Sequence, residues 1–133
     1  MGWDVTDACV LPTDGMCNAM LMPKCTEFST QGAVDRYGEA ARVLGLCDGA
    51  TRNDDAAQHI PIALQKVASD LEVPTLEGFG IDEGVFRKAV PSMAAAALAS
   101  GSPNNNPIVP DVAQVEALYH EIWDEGVRRA SAA

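Results

Sequence analysis

The chain reads as an all-α protein, one helical domain folded as a bundle. Three observations predict this. Apolar residues recur at spacings of three and four in successive segments, no segment alternates apolar and polar residues between turns, and the links between periodic segments are short. Composition agrees, because 47% of the 133 residues are hydrophobic but only seven are aromatic and many are alanine, a balance suited to close-packed helices. A chain of this length can bury one core and is too short for two ordinary ones, so residues 1–133 are taken as a single unit.

Residues 1–13 show no clear period and are expected to be irregular, with Pro12, Thr13, Asp14 and Gly15 making a turn. The first helix is predicted from about Gly15 to Phe28. Cys17, Ala19, Met20, Leu21 and Met22 make it apolar around nearly its whole circumference, and such a helix belongs at the centre of an assembly. Asp14 stands at its start, where unpaired backbone N–H groups and the positive end of the helix dipole favour an anion or an acceptor side chain; it can serve as a cap or carry a function. Pro23 removes a backbone donor and is expected to bend or divide this helix.

The second helix follows from Val34, Tyr37, Ala41 and Leu44 on one face, with Asp35, Arg36, Glu39 and Arg42 outside and Gly45 placed for a left-handed C-cap. A third opens at Thr51, with Asp54 three residues on as a variant capping box. Its stripe is Ala57, Ile60, Leu64, Val67 and Leu71, and Pro61 predicts a kink. Glu72 to Ile81 reads as an extended link and short turn, in which Gly78 and Gly80 can take positive φ. Asp82 is placed to cap the fourth helix, whose inner stripe is Phe86, Ala89, Val90, Met93 and Ala97 and which Pro91 should divide in two. Gly101 to Pro110 is loop by composition. The last helix has Asp111 and Gln114 as a capping box and Val112, Val115, Leu118, Tyr119, Ile122 and Trp123 on one face; Ala130 to Ala133 should fray.

A net charge of −10 and a pI near 4.4 argue against nucleic acid or an anionic membrane surface as partner, since both would repel the chain at long range. No run of about 18 or more apolar residues is present. The first residues lack the basic region and long apolar core of a secretory signal. Cys9, Cys17, Cys25 and Cys47 are spaced by eight, eight and twenty-two residues, which fits no zinc pattern. They read as free thiols, Cys17 and Cys25 packing as small hydrophobes in the apolar run, and the expected setting is cytoplasmic. Cys17 is near a helix start, where a thiolate is favoured, but no histidine lies close in sequence to act as its base. Asp54 with Asp55, and Asp82 with Glu83, stand where negative charge stabilises the helix dipole.

Four stretches in order resemble one family. LPTDGMCNAMLMPKCTEF is similar to the segment around the second metal-binding histidine of the iron-containing (group III) alcohol dehydrogenases, where a histidine and glycine precede a helix that begins with an Asn-Ala pair and holds a proline. VDRYGEAARVLGL, DLEVPTLEGFGID and NNPIVPDVAQVEALYHEIW resemble later helices and loops of that family's C-terminal domain, nearest its lactaldehyde-reductase branch. The resemblance implies a helical bundle like that C-terminal domain, of the dehydroquinate synthase-like fold.

Enzymes of that family place a divalent iron or zinc between a dinucleotide-binding domain and the helical domain, held by one aspartate and three histidines. The resemblance covers only about the last third of such an enzyme. It implies that the glycine-rich cofactor loop and the other metal ligands would lie before Met1. One family metal position falls within the chain, and Asp14 stands there in place of histidine. A carboxylate is shorter than imidazole and favours harder metals, and one ligand does not make a site. His59 and His120 lie on separate predicted helices, and Ile108 stands where the family has an arginine after its Asn-Pro pair.

No catalytic and no cofactor-binding residue is therefore assigned, and Asp14 is the sole candidate metal ligand. The expectation is a truncated or degenerate relative with a packing or partner-binding role. It would bind no cofactor alone and would associate with copies of itself, because its apolar first helix would otherwise be uncovered. The alternative is the helical subunit of a split NAD(P)-dependent alcohol dehydrogenase, gaining iron or zinc and NAD(P) only with a separate dinucleotide-binding partner.

Overall fold

The computed structural model describes residues 14–132, except the side chain of Asp14; the expected irregularity of 1–13 lies outside the described residues. Five α-helices follow in order: α1 (Asp14–Thr30), α2 (Val34–Val43), α3 (Asn53–Asp70), α4 (Glu83–Ala99) and α5 (Val112–Ala132). A short 3-10 helix (Ser102–Asn105) interrupts what reads as loop before α5. No strand occurs among the described residues, so the fold is all-α. Helix α3 packs against both α2 and α1, α5 packs against α4 and α1, and α1 therefore joins the two pairs.

Small residues let α2 and α3 approach closely. A Cβ on Gly38 would lie 3.0 Å from the Asn53 carbonyl oxygen, and Ala41, Ala56 and Ala57 are fully buried. Arg42 crosses from α2, its Nη2 donating to Thr51 O at 2.6 Å and to Asn53 Oδ1, while Asn53 Nδ2 donates to Asp35 Oδ1 at 2.7 Å. This clamp corrects the expected capping box. Helix α3 begins at Asn53, not Thr51, and Asp54 pairs with Arg52 at 2.9 Å, so its carboxylate serves the guanidinium and no box with Thr51 forms.

Several helix ends follow their local chemistry. Gly45 has φ 70°, and Leu46 N donates to Ala41 O at 2.9 Å, closing α2 as a Schellman motif. Helix α3 ends in the same motif with Glu72 at φ 54° and Val73 N donating to Ala68 O at 2.8 Å, a glutamate where glycine fits best. Of the two glycines expected to take positive φ in the next link, Gly80 does, at 97°. Asp82 Oδ1 accepts from Val85 N at 2.9 Å, and Asp111 and Gln114 exchange both bonds of a capping box at 3.0 and 2.8 Å.

Two kinds of expectation change, division at prolines and the buried side of α3. Helix α4 runs unbroken through Pro91, because Phe86 and Val90 before it and Ala94 after it are buried on one face and a break would separate them. Helices α1 and α3 also continue through Pro23 and Pro61, so Pro23 does not divide α1. The buried residues of α3 are Ala56, Ala57, Pro61 and Ala68, while Val67 and Leu71 of the expected stripe are 52% and 72% exposed. The two neighbours of α3 meet its small-residue side, which admits close backbones. Helix α5 extends through Ala132; Ala133 lies outside the described residues.

The core sits between α4 and α5. Leu76, Phe86, Val90 and Trp123 form it, with Met20 of α1 and Tyr119 and Ile122 of α5 packed around them. Phe86 and Trp123 stack with centroids 5.1 Å apart, and Tyr119 meets Phe86 edge-on at 6.3 Å. Val90 and Thr30 are the largest fully buried side chains.

Candidate functional site

Helix α1 carries the sequence signal, and its surroundings are not those expected. Asp14 is its first residue; the side chain lies outside the described residues. From Gly15 to Phe28 no residue is buried, and Met22 is 46% exposed; burial begins only at Ser29 and Thr30. The expected central helix is thus half-covered, because α3 and α5 each take one side and nothing among the described residues covers the rest.

The C-terminal end of α1 is anchored by polar contacts. Ser29 Oγ lies 2.7 Å from both Cys25 O and Asn106 Oδ1, and Asn106 Nδ2 donates to Ile108 O at 2.8 Å. The turn after α1 meets the same loop closely, since a Cβ on Gly32 would lie 2.5 Å from Ile108 Cγ1 and 2.9 Å from the Pro107 carbonyl carbon. Ile108 therefore makes an apolar contact at the position where the resemblance places an arginine.

One basic residue breaks the apolar run. Lys24 Nζ reaches Glu27 at 2.8 Å, Glu121 at 3.0 Å and Glu125 at 2.6 Å, joining α1 to α5. Partial desolvation pulls its pKa down, but the three carboxylates outweigh that and hold the ammonium above the ordinary lysine value. A second ionic group lies on α4 and α5, where Arg87 meets Glu83 and Asp124 at 2.7 Å each and places Nη1 3.0 Å from His120 Nδ1. His120 is half-buried and held by this contact.

The described residues do not assemble a metal site: no three histidine, cysteine, aspartate or glutamate side chains among them could share an ion. His59 is on α3 and His120 on α5. Asp14 stays a lone candidate, and no step of chemistry is assigned to a metal or a nucleotide.

A groove of about 420 Å³ opens beside the anchored end of α1. Leu21, Cys25 and Phe28 form one wall, Leu118, Tyr119 and Ile122 another, and Pro103 and Pro110 close an end. Cys25 was expected to pack as a small hydrophobe, yet it remains exposed at this concavity. The surrounding protein atoms still desolvate the thiol and raise its pKa; burial, with Cys25 nearby, also raises that of the Tyr119 hydroxyl. Neither group is poised as a nucleophile or base at neutral pH. No spacing in the sequence announces this groove. The one advance signal of the α1–α5 contact is Lys24, a single charge in an otherwise apolar stretch.

Helices and loops in this order match known proteins. The family model described as Fe-containing alcohol dehydrogenase family, C-terminal, matches residues 1–123. Lactaldehyde reductase of Escherichia coli strain K12 is 26% identical over 109 residues, which cover 82% of this chain and 28% of that protein. The 1,3-propanediol dehydrogenase of Klebsiella pneumoniae is 24% identical over 110 residues, covering 82% of this chain and 27% of its own length. Among solved structures, a 1,3-propanediol oxidoreductase superposes with a TM-score of 0.74 at 21% identity, over 84% of this chain and 28% of that one, which shows a shared fold. The chain thus spans little more than a quarter of the relatives it matches. Sequence and fold together establish that the chain belongs to the Fe-containing alcohol dehydrogenase family and corresponds to part of its C-terminal helical domain.

Proposed function

We propose that this chain acts as a helical packing and partner-binding unit related to metal-dependent alcohol dehydrogenases, without catalysis of its own. One observation carries the reading: α1, apolar around most of its circumference between Met16 and Met22, has no buried residue from Gly15 to Phe28. Apolar surface left in water is unfavourable by about 25 cal/mol per Å², so covering this helix supplies a drive toward association. The expected outcome is a homo-oligomer. Hydrogen exchange at several protein concentrations tests it. Backbone protection of the first half of α1 rises with concentration if a second copy covers that helix, and a concentration-independent pattern would refute it.

A second reading is supported by the relatives' length, of which this chain spans 28%. In it the chain is the helical part of a split NAD(P)-dependent alcohol dehydrogenase, with Asp14 ligating iron or zinc at the junction with a dinucleotide-binding chain. Calorimetric titration with iron, zinc and NADH, alone and with a candidate dinucleotide-binding chain, separates the two. Heat only in the mixture supports the split enzyme, and none in any mixture eliminates it.

A further inference from the structure

We draw no further inference here: the strongest candidate, the polar cleft between α1, α3 and α5 that Gln65 lines with an amide nitrogen lacking a hydrogen-bond partner among the described residues, carries nothing, because that nitrogen is buried away from the cleft's open space, the cleft's two lysines already pair with Glu27, Glu125 and Asp70, and nothing in the structure shows what would occupy it.

Discussion

Glu72 pays a conformational cost that glycine would not. It closes α3 at φ 54°, where a non-glycine residue is disfavoured by about 1–2 kcal/mol, and part of that is returned by the larger chain entropy of an unfolded glycine. Glu72→Gly should stabilise the fold by about 0.5–1 kcal/mol in urea unfolding; no change or a loss would contradict this reading of the turn. Gly32 is the opposite case, because its missing Cβ makes room for Ile108 and the Pro107 backbone. Gly32→Ala should destabilise by about 1–3 kcal/mol, the usual range for overpacking, again read from urea curves. At Lys24, replacement by Met leaves three glutamates facing one another. Those glutamates are half-exposed, so the loss should be only about 1 kcal/mol and should change with salt concentration. The sign follows from the raised pKa: the Lys24 contribution is fully present below the unfolded lysine value and is lost only as strongly alkaline pH passes the folded one. Stability differences between wild type and Lys24→Met should stay level from neutral pH to about 10 and then shrink.

Helix ends were legible because their causes lie within a few residues. Asp82, the Asp111–Gln114 pair and Gly45 act where their spacing places them. The start of α3 was not legible, because Arg42 from another helix claims the Thr51 carbonyl and Arg52 claims Asp54. The inward face of α3 was misread for a related reason. Periodicity ranks residues by hydrophobicity, while α2 and α1 select the side on which Ala56, Ala57 and Ala68 allow close approach. In α4 and α5 large apolar residues do face the core, and there pattern and packing agree. Phe86 illustrates the energetic stake, since it meets both Trp123 and Tyr119. Phe86→Ala should cost about 3–5 kcal/mol in thermal or urea unfolding, and a cost below about 1 kcal/mol would show that the α4–α5 core is not the main source of stability.

At the scale of the whole molecule, family membership was legible because four short stretches keep their order, each recognisable locally. The groove was not, since its walls come from Leu21 to Phe28 and from Ala97 to Ile122, segments that only the fold brings together. The exposure of α1 was hidden for the same reason: its apolar circumference is plain in the sequence, and the neighbours available to cover it are not. The proposed association originates on the side of α1 that α3 and α5 leave uncovered. Sedimentation velocity on the chain from micromolar to near-millimolar concentration tests this most directly. A rising share of species heavier than the 14.0 kDa monomer is expected, reversed when Met22→Glu places a charge on the exposed side of α1. A compact 14.0 kDa monomer across the whole range would contradict it.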